Sequence, residues 1–175
     1  MRPRLFTVAV DVDRLKWSEE AMQYILFLLF SFSGRISRGG FWLGLLLIGV
    51  LAFVGMAVVQ PEIFDLELET PPPPSFAANV WGLMLLVPSM AITIKRLNDR
   101  NWPNWLGFLV FLAVLPLYIG PFFGLFWDFE NPTTFEVAVS ILIIALGIFL
   151  LVDNGFLRGD HGDNRYGPDP LAKTT

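Results

Sequence analysis

The 175-residue chain contains no cysteine and a single histidine, His161. Without cysteine it can form neither a disulfide nor a thiolate nucleophile. One histidine leaves few candidates for a nucleophile with a neighbouring base, and the Asp160-to-Asn164 spacing around it matches neither a zinc site nor a calcium loop. The sequence therefore predicts no cofactor, no metal and no enzymatic activity.

Charged residues are also scarce, at 16% of the chain against roughly 25% in soluble domains. Apolar residues make up 54% and gather in four stretches, at residues 41–60, 76–94, 105–126 and 137–152. Stretches of this length and composition are typical of membrane-spanning helices. We predict an all-α integral membrane bundle of four transmembrane helices with an N-terminal amphipathic interfacial helix.

Basic residues are absent from two of the connections between these stretches. All twelve Lys and Arg residues lie in the other connection or at the two ends of the chain, whereas the two connections without them carry seven acids. The net charge of −4 thus divides into +3 on one side and −7 on the other. By the positive-inside rule, this distribution predicts a multi-pass membrane protein with its N-terminus and C-terminus in the cytoplasm.

The predicted organisation has four parts. Residues 1–16 form a cytoplasmic tail, and residues 17–33 form the interfacial helix, with Ser18 as its N-cap. Its uncharged part would extend only about 20 Å, too short to cross the hydrocarbon core of roughly 30 Å. Residues 34–170 form the four-span domain with a cytoplasmic C-terminal motif, and residues 171–175 form a tail.

Prolines complicate the third apolar stretch. Pro116 and Pro121 lie inside it, so a kinked or broken helix is expected there. A re-entrant pair made by the third and fourth stretches is the alternative to two complete spans. The fourth stretch is preceded by Thr133 and Glu136, which match a capping box. Ser75 is the predicted N-cap of the second stretch.

Three polar motifs stand between and after the apolar stretches. They read Gly-Arg-Ile-Ser-Arg-Gly-Gly-Phe-Trp at residues 34–42, Lys-Arg-Leu-Asn-Asp-Arg-Asn-Trp-Pro-Asn-Trp at 95–105 and Gly-Asp-Asn-Arg-Tyr-Gly-Pro-Asp-Pro at 162–170. In this order they resemble the domain-of-unknown-function 805 family of bacterial inner-membrane proteins, over roughly residues 24–170. The middle motif of that family usually begins Arg-Arg-Leu-His-Asp, and here Lys95 and Asn98 replace the first Arg and the His. The resemblance implies a small integral membrane protein without an assigned reaction.

Candidate site residues all fall in these motifs. An anion or lipid-headgroup site is predicted from basic residues and one hydroxyl, since Arg can bind a phosphate through two N–H groups. Its members are Arg35, Ser37, Arg38, Lys95, Arg96 and Arg100. The alternative is that these cations form no defined site, but only determine the topology and extend towards lipid phosphates.

A second set of residues is predicted to order the cytoplasmic face. It consists of Asp99, Asn164, Arg165, Tyr166 and Pro168. Arg165 or Tyr166 is expected to dock the C-terminal motif against Asp99 or the membrane surface, with an ion pair between Arg165 and Asp99. Asp99 is alternatively expected to pair with Arg96 or Arg100.

Two classes of function remain open. The first is a non-enzymatic membrane protein that binds anionic lipid headgroups or a partner membrane protein, with no nucleic acid as partner. The chain itself is a possible partner, since Gly40 and Gly44 are spaced for close helix approach. The alternative is a small channel or transporter with a cavity at the proline-broken third span. A membrane-bound enzyme acting on lipids ranks third.

Overall fold

The fold is described by a computed structural model that covers residues 12–68, 72–123 and 132–172. Five α-helices follow one another in these residues: α1 (Val12–Phe30), α2 (Arg38–Val59), α3 (Phe76–Asp99), α4 (Trp105–Ile119) and α5 (Thr134–Leu150). Short 3₁₀ turns lie at Pro61–Phe64 and Gly120–Phe123, and a π-helical turn, Leu151–Phe156, continues α5. The described residues contain no strand, which confirms the all-α prediction.

Three helical segments are long and apolar enough to cross a membrane. They are α2, α3 and the combined segment Thr134–Phe156. By contrast, α4 has 15 residues and rises only about 22 Å, less than the roughly 30 Å of a hydrocarbon core. It ends at Ile119, between Pro116 and Pro121, where the sequence predicted a break. Length therefore supports three of the four predicted spans, and the end of the third stretch lies outside the described residues.

The predicted helix starts of the second and fourth stretches are confirmed. The Ser75 hydroxyl accepts a hydrogen bond from the Ala78 backbone N–H at the start of α3. At the start of α5, Thr133 and Glu136 form the complete capping box, each side chain accepting the other's backbone N–H. These bonds satisfy N–H groups that a helix start otherwise leaves without a partner.

The first helix differs from its prediction. It spans Val12–Phe30 rather than residues 17–33, so Ser18 lies inside the helix and is not its N-cap. The upstream residues include Leu, Lys and Arg, which have high helix propensity and extend the helix into the predicted tail; residues 1–11 lie outside the described part. Among residues 18–30, whose side chains the structure describes, the buried ones are Leu28 and Leu29 at the C-terminal end. Its interfacial position remains a prediction.

The third helix also differs from its prediction. It continues through Asp99, so the first five residues of the expected loop at 95–105 are helical. Lys95 and Arg96 are fully buried by neighbouring segments rather than exposed at a loop. Their side-chain donors find acceptors inside the protein, as described below, and this allows the helix to extend.

Helices α2 and α3 make the closest helix contact. A Cβ on Gly44 would lie 2.8 Å from Ile92 Cγ2, and one on Gly40 would lie 2.9 Å from the Tyr24 hydroxyl. The small-residue face of α2 that was considered for dimerisation therefore packs against α1 and α3 of the same chain. Leu28, Ile36, Phe41 and Ile92 form the hydrophobic cluster at this crossing. In α5, by comparison, no residue is buried.

Candidate functional site at the polar end of the bundle

One end of the helix bundle, here called the polar end, brings the three sequence motifs together. It contains the connection from α1 to α2, the C-terminal end of α3, the π-helical turn and the tail loop (residues 157–172). Five cationic or acidic side chains there are nearly or fully buried, namely Arg35, Lys95, Arg96, Asp99 and Asp153. Buried charges are stable only when paired and hydrogen-bonded, so their partners define what this end can do.

Asp99 lies at the centre of the polar end. Arg35 Nε donates a hydrogen bond to Asp99 Oδ1 at 3.1 Å, and Arg35 Nη2 lies 3.0 Å from the same oxygen. Arg96, one helical turn earlier on α3, donates to Asp99 Oδ2. Both carboxylate oxygens are thus engaged by guanidinium groups. The prediction that Asp99 pairs with Arg96 is confirmed, and Arg35 is an additional partner.

Arg35 connects this ion pair to the tail loop. Its Nη1 donates to the carbonyl of Gly162 at 2.7 Å and to that of Gly167 at 3.2 Å, and its Nη2 donates to the carbonyl of Asp160 at 2.7 Å. With Asp99, these contacts occupy every donor nitrogen of the guanidinium group. Arg35 therefore ties the tail loop to α3, and it has no donor nitrogen left for an external anion.

Lys95 has no acidic partner among the described residues. Its ammonium group donates to the carbonyls of Phe27 at 2.7 Å, of Leu28 at 2.8 Å and of Ser31, and it lies 4.8 Å from the centre of the Phe27 ring. These carbonyls belong to the last turn of α1 and the residue after it, where a helix leaves acceptors unpaired and carries partial negative charge. Lys95 thus holds the end of α1 against α3.

The π-helical turn after α5 is held by two other arginines. Arg96 Nε donates to the carbonyl of Asn154 at 2.7 Å, and its Nη2 donates to the carbonyl of Leu157. Arg100 donates to Asp153 Oδ1 through Nε at 3.3 Å and through Nη2 at 3.2 Å. The buried Asp153 was predicted to lie beyond the fourth span, whereas the helical segment includes it.

The C-terminal motif docks against the end of α3 and the α3–α4 connection rather than through the predicted contact of Arg165 or Tyr166 with Asp99. The Tyr166 hydroxyl donates to the carbonyl of Trp102 at 2.8 Å, and Asn164 Nδ2 donates to that of Asn98 at 2.9 Å. Arg165 donates to the carbonyl of Asn101 at 3.0 Å.

The predicted ion pair between Arg165 and Asp99 is therefore wrong. Asp99 is already enclosed by two arginines from the first two motifs, and Arg165 lies at the exposed edge of the tail loop. Pro168 is exposed in the turn that follows the paired residues Asn164 and Gly167.

Gly159 is required where the tail loop crosses Asp99. A Cβ at this position would overlap the Asp99 carboxylate. The adjacent backbone N–H of Asp160 donates to the Asp99 carbonyl at 2.8 Å, so the two segments are in direct contact. Sequence reasoning did not single out this glycine, because it falls just before the recognisable C-terminal motif.

A pocket of about 130 Å³ opens beside this crossing. It is lined by Ser37, Arg38, Arg96, Asp99, Arg158, Gly159, Asp160, His161, Asp169, Pro170 and Leu171. The Ser37 hydroxyl accepts the Gly40 N–H as the N-cap of α2, and Arg38 donates to the Phe156 carbonyl at 3.1 Å. The described residues offer no hydrogen bond or ion pair to the guanidinium of Arg158. We refer to this space as the headgroup pocket.

The acidic groups of the headgroup pocket are not equivalent. Asp99 is neutralised by two arginines, and Asp169 accepts the backbone N–H groups of Leu171 and Gly162, which hold the pKa of its carboxyl below the usual range. Asp160 makes no side-chain hydrogen bond among the described residues. The groups left to meet a ligand are therefore the guanidiniums of Arg38 and Arg158, the carboxylate of Asp160 and the imidazole of His161, while Asp169 keeps its negative charge beside them.

The model of the family "Protein of unknown function (DUF805)" matches residues 29–168, a range that contains the first two motifs and the third as far as Pro168. The chain belongs to the DUF805 family. Two relatives are each called "Uncharacterized protein YiiR", from Escherichia coli strain K12 and from Escherichia coli O157:H7. Each is 32% identical over 144 residues, covering 81% of this chain and 86% of the relative. No solved structure matches the chain.

Both ends of the DUF805 match lie at the polar end. It begins at Leu29 in α1, next to the carbonyls that Lys95 binds, and ends at Pro168 in the tail loop. Most of α1 lies before the match. Membership agrees with the resemblance stated from the three motifs, and the structure shows that these motifs meet in one polar assembly around Asp99.

Proposed function

We propose that this DUF805 protein is a non-enzymatic inner-membrane protein that binds an anionic phospholipid headgroup in the headgroup pocket, with both termini in the cytoplasm. The observation that carries the proposal is the guanidinium of Arg158, which borders the pocket beside Arg38 and has no protein partner among the described residues. Four guanidiniums lie in or directly behind the pocket wall (Arg35, Arg38, Arg96 and Arg158) against three carboxylates (Asp99, Asp160 and Asp169), which leaves one positive charge in excess. Arginine binds phosphate oxygens strongly because its N–H groups match their geometry.

The position of the pocket supports a lipid ligand. Arg38 is the first residue of α2, the helix whose following 21 residues are uncharged, so the pocket lies where a spanning helix would leave the hydrocarbon. Lipid phosphates occupy that depth, and each nearby cation contributes about 1 kcal/mol towards an anionic leaflet. The buried cations Arg35 and Arg96 support the proposal indirectly, because they hold the tail loop and the end of α3 together at the pocket wall.

A channel or transporter has less support. A groove of about 530 Å³ lies between α3 and α4 and is lined by Leu86, Val87, Met90, Trp105, Phe108, Leu109, Phe111, Leu112 and Leu115. Pro116 does not line it, and its wall offers almost no polar group to replace the hydration of an ion or polar solute. We therefore do not favour a hydrophilic path at this position.

Lipid binding is tested by native mass spectrometry of protein released from nanodiscs that contain equal amounts of phosphatidylglycerol and phosphatidylethanolamine. We expect phosphatidylglycerol to be retained preferentially and to be lost in Arg158→Glu. Arg165→Glu is the matched control, since it makes the same charge change on the same loop outside the pocket. Equal loss in both variants, or no retained lipid in the unmodified chain, would contradict the proposal.

Orientation is tested separately with reporter fusions. A periplasm-active reporter inserted in residues 61–75 or 127–132 is expected to be active, and one fused to the C-terminus to be inactive. The opposite pattern would place the headgroup pocket at the outer leaflet.

A further inference from the structure

An apolar groove runs along α2 directly beyond the headgroup pocket. It has a volume of about 500 Å³ and is lined by Trp42, Leu45, Leu46, Gly49, Val50 and Phe53. Successive lining residues are three or four positions apart, or adjacent to such positions, so they form one face of the helix. Arg38 precedes Trp42 by four residues and lies on that same face. The charged wall of the pocket and the apolar groove are therefore in register on one helix.

The groove exists because Gly49 has no side chain. A Cβ at Gly49 would meet no atom within 4 Å, unlike a Cβ at Gly44 or Gly55 on the same helix, which would contact α3. The flanking side chains Leu46 and Phe53 are each 63% exposed. Gly49 thus forms the floor of a depression that no other part of the described chain fills.

The upper end of the groove contacts the π-helical turn. Trp42 Nε1 donates to the Gly155 carbonyl at 3.1 Å, and its ring meets that of Phe156 edge-on with 5.6 Å between the centroids. Arg38 donates to the carbonyl of the same Phe156. One short turn therefore positions both the first aromatic ring of the groove and one guanidinium of the headgroup pocket.

The length of the groove matches one leaflet of a membrane. From Trp42 to Phe53 an α-helix rises about 16 Å. The hydrocarbon core is roughly 30 Å thick, so one leaflet is about 15 Å deep. An acyl chain attached to a headgroup at Arg38 and Arg158 would lie along the whole groove, with its apolar surface against apolar side chains and its phosphate beside the two cations.

We infer that the headgroup pocket and the α2 groove form one binding site for a phospholipid molecule, with the phosphate at Arg38 and Arg158 and an acyl chain over Gly49. This inference rests on the proposed function for the headgroup and adds a binding groove for the acyl chain. It commits to a lipid rather than a free phosphate, because a soluble phosphate would use only the upper half of the site.

Filling the groove is the decisive experiment. Gly49→Leu places a side chain into open space, so the fold has no clash to relieve, and Gly147→Leu is the matched control, since a Cβ there also meets no atom within 4 Å. Phosphatidylglycerol retention is measured by native mass spectrometry for both variants. Binding of water-soluble glycerophosphoglycerol, which has the headgroup without chains, is measured by titration in detergent.

We expect Gly49→Leu to weaken phosphatidylglycerol retention about tenfold, a change of about 1.4 kcal/mol, and to leave glycerophosphoglycerol binding unchanged. Gly147→Leu is expected to change neither. If Gly49→Leu retains the lipid while Arg158→Glu loses it, the headgroup proposal stands and the inferred binding of an acyl chain in the α2 groove is wrong. A dimer in the unmodified chain that Gly49→Leu abolishes would assign the groove to a second copy and overturn the inference. If the unmodified chain binds neither probe, the proposed function itself fails.

Discussion

Arg35 and Asp99 form a buried ion pair between residues 64 positions apart in the sequence, with Arg35 Nε 3.1 Å from Asp99 Oδ1. The pair joins the connection before α2 to the end of α3, and the remaining donors of Arg35 hold three carbonyls of the tail loop. A single guanidinium thereby links all three sequence motifs. Removing one member would leave the other charge buried without its partner.

Asp99→Asn is expected to lower the free energy of unfolding by about 3–5 kcal/mol, because Arg35 and Arg96 then remain as uncompensated buried cations. Thermal unfolding in detergent, followed by circular dichroism, measures the change. Glu62→Gln, which neutralises an exposed carboxylate in the 3₁₀ turn after α2, is the control. Equal stability of the two variants would show that the Asp99 cluster contributes nothing to the fold.

Lys95→Met is expected to release the C-terminal end of α1. Methionine has a similar shape but no donor, so the carbonyls of Phe27, Leu28 and Ser31 would lose the ammonium that now binds them. An unsatisfied buried polar group costs about 1–3 kcal/mol. Hydrogen exchange at the amides of residues 27–31 should accelerate, whereas exchange in α2 should not. Unchanged exchange at residues 27–31 would mean that apolar packing alone holds α1.

Gly159→Ala is expected to destabilise the contact between the tail loop and α3, because the new Cβ would overlap the Asp99 carboxylate. Overpacking of this kind costs about 1–3 kcal/mol. Limited proteolysis of the tail loop reports the change as faster cleavage. Gly147→Ala, which adds a methyl group to open space on α5, should be cleaved no faster than the unmodified chain. Slow cleavage of Gly159→Ala would refute the predicted overlap.

The charge swap Asp99→Arg with Arg165→Asp is expected to give no rescue. Arg165 reaches only the Asn101 carbonyl, so the exchanged charges would not meet, and the double variant should be no more stable than Asp99→Arg alone. If the thermal midpoint of the double variant lies above that of both single variants, Arg165 and Asp99 do form an ion pair.

Asp169 predicts a pH dependence of the tail loop. Its backbone donors, Leu171 and Gly162, depress the pKa of the carboxyl in the folded protein below the value of about 3.9 in an unfolded chain. The resulting stabilisation is fully present above pH 3.9 and is lost as the pH falls through the lower, folded-state pKa. Exchange at the Gly162 and Leu171 amides should accelerate over that window. In Asp169→Asn this acceleration should be absent, and its persistence would assign it to another group.

Local chemistry made much of the fold predictable. The apolar stretches and the N-caps Ser75 and Thr133 depend on nearby residues only, so their helices lie close to where the sequence places them. The ends of α1 and α3 were missed for the opposite reason. Lys95 and Arg96 resemble exposed loop residues until their partners, which come from distant segments, are known.

The candidate site was predictable in composition but not in role. Six basic and hydroxyl residues were predicted to face an anion, and they do gather at one end of the bundle. Three of these cations instead donate hydrogen bonds to acceptors within the protein, namely Arg35, Lys95 and Arg96. A guanidinium without a partner among the described residues is provided by Arg158, which was not singled out. Side-chain direction depends on which distant carbonyl or carboxylate lies nearby, and residue spacing does not contain that information.

The sequence by itself determined that the chain is helical and apolar, that its basic residues are confined to alternate connections and the chain ends, and that its motifs are those of DUF805, because hydropathy, charge and motif order are properties of the linear chain. Only the tertiary structure decided that Arg35 and Arg96 enclose Asp99, and that Arg38 and Gly49 share one face of α2 beside an open pocket. Those relationships arise when residues far apart in sequence pack together and satisfy each other's hydrogen-bonding groups away from water.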